Sequence, residues 1–324
     1  MVHQPEPLKH FISIPTDLKA KFDQVEKEFT VSAEKLQEVT SHFIDELEEG
    51  LSKEGGNIPL IPSWVLDFPT GQETGDYLAI DLGGTNLRIV AVNLKGNSDF
   101  SFTHSKYALP DWMRTAKAEQ LWDFIADCLD VFVKEFFPEG VTTCESLPLG
   151  FTFSYPAFQN AINSGILQTW TKGFDIHGVE GHDVVPMLQA AIDKKKLPVH
   201  VVALINDTTG TLVASMYSDP NTKMGLIFGT GVNGAYYDLA NHIPKLHDKL
   251  PSDIKDDHSV PMAINCEYGA FDNENSVLPR TKYDVIIDEE SPRPGQQCYE
   301  KMVAELNKMH LKTCVSSVNY SNKT

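Results

Sequence analysis

Two short glycine-rich turns, each lying between two apolar runs, constrain the fold of this chain more than any other feature. The first turn is Ile80–Asn86 and the second is Ile227–Asn233. Glycine allows close approach to the backbone, so the amides and hydroxyls of such a turn can surround phosphate oxygens. One such turn is weak evidence, because a glycine turn in a hairpin usually only reverses the chain. Two of them, flanking a strand that ends at Asn206-Asp207, predict a phosphate-binding site between two lobes.

Composition narrows the class of protein. The length of 324 residues allows about two domains, and 41% hydrophobic with 22% charged residues is typical of a soluble globular protein. A formal net charge of −18 argues against nucleic acid as a partner. We find neither a stretch of about 18 apolar residues nor a signal pattern, and we therefore expect no membrane association. The five widely spaced cysteines lack metal-binding spacing and favour a reducing, cytoplasmic location.

The spacing of apolar residues predicts the order of domains. Residues 1–15 are expected to be unstructured, and residues 16–76 to form two helices and a connector that belong to a large lobe. From residue 77 the pattern is strand, strand, strand, helix, strand, helix, strand, which predicts an α/β small lobe over residues 77–207. A second glycine hairpin and a strand near 261–268 predict the start of another such lobe over residues 208–302. Residues 303–324 are interpreted as a tail outside this pattern.

Three polar residues are candidates for chemistry on the pattern alone. Asp207 lies where a buried strand gives way to a helix, at the edge where α/β proteins usually bind ligands. The alternative is an ordinary N-cap aspartate, but the neighbouring Asn206 and residues 208–211 favour a site. Lys172 lies between Trp-Thr and Gly, where it can point inward, although a lone lysine is normally solvated. Ser154 ends a strand, where its alternative role is that of an ordinary strand-end hydroxyl.

Two glutamates, Glu267 and Glu300, suggest a pair of acidic groups. Paired carboxylates are typical of glycoside hydrolases. Because that interpretation leaves both glycine turns unexplained, we favour the two glutamates as acceptors for substrate hydroxyls. Their spacing alone does not distinguish the two possibilities.

From about Thr16 to about Met302, the chain resembles the hexokinase family, especially its fungal members. The most specific match is Leu149–Pro156 followed by Trp170–Phe174, and Ala203–Thr211 and the two glycine turns agree in order and spacing. The resemblance implies an actin-like, ribonuclease-H-like α/β fold, in which two lobes close over a sugar and ATP. The second lobe is expected to be incomplete, because the last third of a typical member has no counterpart after Met302.

By this resemblance, the function is ATP-dependent phosphorylation of the 6-hydroxyl of glucose or a related hexose, the first step of glycolysis. Asp207 would accept the proton of that hydroxyl, and Lys172 would hold the sugar and offset negative charge. The residues expected to bind the sugar are Ser154, Thr171, Lys172, Asn206, Asp207, Asn233, Glu267 and Glu300. Those expected to bind ATP are Asp81, Gly83, Gly84, Thr85, Asn86, Arg88, Gly229 and Thr230, with Asp81 reaching Mg²⁺ through water and no direct metal ligand. A homodimer is left open.

The part without counterpart includes the glycine-rich segment that packs on adenosine in the family. The second hypothesis is therefore a non-catalytic hexose-binding or regulatory fragment. The same shortening predicts that the strand Met224–Phe228 lacks apolar cover.

Overall fold

The computed structural model describes residues 15–137, 146–171, 173–229 and 231–290. Three predicted site residues, Lys172, Thr230 and Glu300, lie outside these ranges, as do residues 1–14 and the tail 303–324. The described residues divide into two compact units, one made of 15–46 with 271–290 and the other of 47–270. Both glycine turns lie in the second unit.

The first unit is helical. It contains α1 (Thr16–Phe29), most of α2 (Ala33–Ser52), and α7 (Lys282–Glu289). Ser32 caps the start of α2, because its Oγ accepts a hydrogen bond from the Lys35 amide at 3.2 Å. Aromatic contacts join these helices to the segment from residue 271, since Phe29 stacks on Tyr283 at 5.9 Å and Phe43 meets Phe271 edge-on at 5.1 Å.

The second unit contains a five-stranded mixed sheet. Its strands are β2 (Thr74–Leu82), β3 (Asn86–Gly96), β4 (Asp99–Ala108), β5 (Leu147–Phe153) and β8 (Val199–Ile205). Their order across the sheet is β4-β3-β2-β5-β8, in which β4, β3 and β2 are antiparallel neighbours and β2, β5 and β8 run parallel. Two helices, α3 (Ala118–Phe136) and α4 (Val184–Lys194), follow β4 and precede β8. This order confirms the predicted alternation of strands and helices.

The sequence pattern explains the core of this sheet. Alternate residues of β2 and β5, such as Leu78, Ile80 and Phe151, are buried with the apolar side of α3. Because successive strand residues point to opposite faces, this alternation buries one face. The long connection from β5 to α4 carries a small hairpin, β6 (Ala157–Phe158) and β7 (Ile166–Leu167).

A second, antiparallel sheet contains β1 (Ile61–Pro62), β9 (Met224–Phe228), β10 (Val232–Leu239) and β11 (Pro261–Asn265). The order of its strands is β1-β11-β10-β9. Helix α5 (Asp207–Ser218) leads from the end of β8 and packs on this sheet, with Leu212 buried against Ala235 and Ala263. The short helix α6 (Ser252–Lys255) lies between β10 and β11.

The edge strand β9 carries exposed apolar side chains. Its alternate residues Met224, Leu226 and Phe228 are exposed, which confirms the expected lack of cover. The intervening Gly225 is buried against α5, where a Cβ atom would lie 2.7 Å from the amide nitrogen of Leu212. A side chain at residue 225 would therefore clash with α5, and glycine allows the second sheet and α5 to approach this closely.

One half-buried lysine ties the connector before β1 to the segment after β10. Lys245 Nζ donates to the carbonyl oxygens of Gly50, Pro59 and Leu60 at 2.7, 2.6 and 2.8 Å. Burial lowers the pKa of Lys245 to about 8. In the part of the chain that the structure describes, no helix is both long and apolar enough to cross a bilayer.

Candidate active site

At the junction of β8 and α5, Asp207 is not the N-cap residue of the helix. The N-cap is Asn206, whose Oδ1 accepts from the Thr208 amide at 2.8 Å, and Asp207 is the first residue of the helix. The alternative of Asp207 as the N-cap is therefore wrong. Its half-buried carboxylate accepts a hydrogen bond from Thr208 Oγ1 at 3.3 Å. A carboxylate in the first helical turn lies at the positive end of the helix dipole.

The register of the parallel strands brings three segments to one edge of the sheet. Asp81 of β2 lies opposite Thr152 of β5, and Thr152 lies opposite Ile205 of β8. Neighbouring strands are about 4.8 Å apart, so the ends of these three strands fall within about 10 Å. The first glycine turn follows β2, Ser154 follows β5, and Asn206-Asp207 follows β8. The structure thus brings these predicted residues to the same edge.

A cluster of asparagines surrounds the carboxylate of Glu267. Its Oε1 accepts hydrogen bonds from the side-chain amides of Asn265, Asn233 and Asn206 at 2.8, 2.9 and 3.3 Å. Asn206 follows β8, Asn233 lies near the start of β10, and Asn265 ends β11. Three of the predicted sugar-binding residues are therefore in direct contact.

Asn265 is a site residue that the sequence analysis did not single out. It is 5% exposed and ends an otherwise apolar strand. The same pattern, a polar residue directly after a buried apolar run, pointed to Asn206 and Asp207. That pattern could therefore have identified Asn265 as well.

The backbone at Glu267 adopts an uncommon conformation, with φ of 56°. A non-glycine residue in the left-handed region costs on the order of 1 kcal/mol or more and persists only where its surroundings hold it. Here the Glu267 amide donates to Asn233 Oδ1 at 2.9 Å, and the Cys266 amide donates to the Gly234 carbonyl at 2.9 Å. Burial, together with the nearby Glu267 carboxylate, raises the pKa of the Cys266 thiol to about 12.

The first glycine turn joins β2 and β3 and is held on both sides. The Gly83 amide donates to the Asn86 carbonyl at 3.0 Å, and the Leu109 amide donates to the Thr85 carbonyl at 3.0 Å. The Asn86 side chain donates to Thr85 Oγ1 at 2.7 Å. Gly84 lies within this turn. These bonds fix the turn without involving the Thr85 hydroxyl proton.

Beside this turn, Asp81 and Arg88 face each other across the β2–β3 hairpin. Arg88 Nη1 lies 3.6 Å from Asp81 Oδ2, and more than half of the Arg88 side chain is exposed. An exposed ion pair of this kind contributes little to stability. Both side chains can therefore exchange this contact for a ligand at low cost.

The second glycine turn joins β9 and β10. The Gly229 amide donates to the Gly231 carbonyl at 2.8 Å, and Phe228 pairs with Val232. Both predicted turns are confirmed as hairpin connections.

Aromatic side chains support the loop that carries Ser154 and Thr171. Trp170 stacks on Phe174 at 5.5 Å, and Tyr155 meets Trp170 edge-on at 4.8 Å. Burial raises the pKa of Tyr155, whose hydroxyl lies 3.5 Å from the Gly83 carbonyl oxygen. The loop after β5 is therefore packed against the first glycine turn. Ser154 and Thr171 are both half-buried in it.

Residues 21–217 and 223–306 match two family models that are both described as Hexokinase. The chain is 67% identical over 309 residues to the hexokinase of Schwanniomyces occidentalis, covering 94% of this chain and 64% of that protein. It is 66% identical over 290 residues to hexokinase-2 of Saccharomyces cerevisiae, covering 89% of this chain and 59% of that protein.

A solved hexokinase from Schistosoma mansoni, complexed with glucose, resembles the structure with a TM-score of 0.74 and 35% identity, over 88% of this chain and 63% of that one. A second hexokinase crystal structure gives a TM-score of 0.75 at 33% identity, over 89% and 64%. These likenesses confirm the predicted α/β sugar-kinase fold. The chain spans about three fifths of the length of these relatives and forms the corresponding part of the two-lobed fold.

Proposed function

Because the chain belongs to the hexokinase family, we propose that it is the sugar-binding part of an enzyme that transfers a phosphoryl group from ATP to the 6-hydroxyl of glucose or a related hexose. The observation that carries this proposal is the Glu267 carboxylate, held by three asparagine amides. One of them, Asn206, directly precedes Asp207 at the edge that also bears the first glycine turn.

Hexose binding rests on hydrogen-bonding groups of fixed orientation. The Glu267 carboxylate is an acceptor for a hydroxyl, and further groups for the sugar in the described residues are the amide of Asn206, the hydroxyls of Ser154 and Thr171 and the carboxylate of Asp207. Asn233, which is also predicted to bind the sugar, contacts Glu267. A site built from such groups discriminates strongly between sugars, because a sugar that lacks the matching hydroxyl leaves a buried group unpaired. Lys172 and Glu300 are assigned to the sugar by the family pattern alone.

Asp207 is proposed as the base. Its carboxylate accepts the proton of the 6-hydroxyl while that oxygen attacks the terminal phosphorus of ATP and the bond to the leaving ADP breaks. Phosphoryl transfer depends mainly on positioning and charge stabilisation, and only secondarily on the strength of the base. Lys172 is proposed to offset the negative charge that develops.

The residues at the glycine turns fit a nucleotide with its magnesium ion better than a resident metal. Among the described residues, no group of three His, Cys, Asp or Glu side chains is placed to hold a metal ion. Asp81 is a single carboxylate beside a turn, and Mg²⁺ commonly binds through one or two carboxylates together with substrate phosphates and water. Magnesium-bound ATP would supply the phosphoryl group and neutralise part of its charge. The residues proposed to hold it are Asp81, Gly83, Gly84, Thr85, Asn86, Arg88, Gly229 and Thr230.

A second candidate function is hexose binding without turnover. It is supported by the cluster around Glu267, because this cluster offers hydrogen-bonding groups to a sugar and none of its members is among the residues proposed to hold ATP. Titration calorimetry of the full chain separates the two functions. Binding of both glucose and a non-hydrolysable magnesium–ATP analogue supports the enzyme, whereas binding of glucose alone supports the second candidate. Absence of glucose binding refutes both.

Asp207→Asn, introduced into a full-length counterpart of this chain, tests the proposed base in a coupled phosphorylation assay. We expect turnover to fall at least about a hundredfold, because a positioned general base contributes about that much or more. The control is Asp193→Asn, which changes an exposed carboxylate on α4 that accepts from Gln189 at 2.8 Å. Retained turnover in Asp207→Asn would reject the assignment of the base.

A further inference from the structure

The side chains of Asn265 and Glu267, which are separated in the chain by one residue, are hydrogen-bonded to each other. Glu267 lies two residues after the end of β11, and its backbone is in the left-handed region. Asn265 Nδ2 donates to Glu267 Oε1 at 2.8 Å, within the usual range of N–H···O hydrogen bonds. Because Asn265 is 5% exposed, water cannot easily replace this donor.

The hydrogen-bonding groups of Asn233 are all engaged within the cluster. Its Nδ2 donates to Asn265 Oδ1 at 2.8 Å and to Glu267 Oε1 at 2.9 Å. Its Oδ1 accepts from the amides of Gly234 at 2.7 Å and Glu267 at 2.9 Å. A carboxamide has two N–H groups and two lone pairs, so Asn233 is fully used in this arrangement. Asn233 and Asn265 together form a scaffold around one carboxylate oxygen.

This scaffold fixes the chemical character of Glu267. The three asparagine side chains bonded to Oε1 are all amide donors, and such donors favour the ionised carboxylate. An ionised carboxylate accepts hydrogen bonds and donates none. A hexose hydroxyl at Glu267 must therefore be the donor.

We propose that Asn265 is a positioning residue that holds Glu267 as an oriented, acceptor-only group for one hexose hydroxyl, so that sugar affinity depends on the Asn265 amide. This inference rests on the proposed function only in taking a hexose as the ligand of Glu267. Asn265 itself needs no contact with the sugar. It acts by keeping the carboxylate in one orientation before the sugar arrives.

The variant Asn265→Asp tests this role, because it has the same size but replaces the donor by a carboxyl group. Two carboxyl groups at this distance cannot both ionise without strong repulsion, and one retains its proton to higher pH. At pH 5.5 the protonated carboxyl group of the variant can donate to Glu267, as the amide did. As the pH rises, that proton is lost progressively, and the two groups then repel each other.

We expect glucose affinity of Asn265→Asp, measured by titration calorimetry on the full chain, to fall at least about tenfold at pH 8. At pH 5.5 it should return toward that of the unaltered chain, whose own affinity changes less between the two pH values. A role confined to packing would give a loss that does not reverse with pH.

The matched control is Asn93→Asp. Asn93 Nδ2 donates to Asp76 Oδ1 at 2.8 Å across the exposed β2–β3 ladder, so the substitution creates the same pair of acidic groups away from the site. Glucose affinity of this variant should equal that of the unaltered chain at both pH values.

The failures of the two proposals are distinguishable. If the unaltered chain binds glucose and Asn265→Asp binds it equally well at pH 8, the positioning role is overturned and the proposed function stands. If the unaltered chain binds no glucose, the proposed function and the role built on it are both overturned. Should Asn265→Asp not fold at pH 8, Asn265→Ser removes the donor without adding charge. Binding about tenfold weaker than that of Asn93→Ser then supports the proposal, and equal binding overturns it.

Discussion

The contact between α5 and β9 predicts opposite effects for two glycine-to-alanine substitutions. Gly225→Ala places a Cβ atom 2.7 Å from the Leu212 nitrogen and 2.9 Å from its Cα and Cβ. Ordinary contact begins at 3.4 Å, so the helix and strand must separate by about 0.7 Å, the difference between 3.4 and 2.7 Å. Overpacking of this kind lowers the free energy of unfolding by about 1–3 kcal/mol. Replacing glycine by alanine raises it by roughly 0.5–1 kcal/mol, because alanine loses less backbone entropy on folding.

The control is Gly210→Ala within α5. A Cβ atom there would lie 3.3 Å from the end of the flexible Ile205 side chain, which can move aside. Alanine is favoured over glycine in a helix by about 1 kcal/mol, so this variant should be as stable as the unaltered chain or more so. Urea unfolding should therefore separate the two variants by about 2 kcal/mol at equal m-values.

The same displacement of α5 is expected to weaken glucose binding in Gly225→Ala, because Asn206 and Asp207 lie at the start of that helix. Equal unfolding midpoints for the two alanine variants would refute the packing argument. Lower stability of Gly225→Ala with unchanged glucose affinity would refute the link from this contact to the site.

Three further predictions concern titration and capping. Burial raises the pKa values of Cys128 and Cys266 to about 11 and 12. With the other cysteines replaced by serine, these two thiols should therefore react with a thiol reagent at pH 8 at least about a hundredfold more slowly than a free thiol. A rate equal to that of a free thiol would contradict their burial. The pKa of Lys245 is lowered to about 8 from 10.5, so the unfolded chain binds the extra proton between these values. The stability of the unaltered chain relative to Lys245→Met should therefore rise with pH over that window, and a falling difference would contradict the sign. Ser32→Ala should cost about 1 kcal/mol in urea unfolding through loss of the N-cap bond, with Ser52→Ala as the control outside any N-cap.

Local pattern predicts the elements well where apolar spacing is regular. The third strand predicted for the small lobe is β4, and the second helix predicted for it is α4, capped by Asp183 through the Val185 amide at 3.0 Å. The strand predicted near 261–268 ends earlier, at Asn265, because the backbone turns to positive φ at Glu267. The hairpin β6–β7 was not predicted, since strands of two residues carry no period.

The candidate site shows where such patterns stop being informative. The sequence indicates that polar residues follow buried strands, and this pattern led to Asn206 and Asp207. It does not indicate which of the two caps the helix, because both side chains can do so. The bond between Asn206 and Glu267 joins residues 61 positions apart, and only the packing of α5 on the second sheet brings them together.

The cluster around Glu267 also joins the ends of three strands by hydrogen bonds. Asn206 accepts from the Thr208 amide and donates to Glu267, so unwinding the first turn of α5 disturbs the same carboxylate that β10 and β11 hold. Amide hydrogen exchange at Thr208 and at Gly234, whose N–H is bonded to Asn233, should consequently slow together when a sugar occupies the site. Occupancy by a ligand would thus be detectable as shared protection in segments that are far apart along the chain.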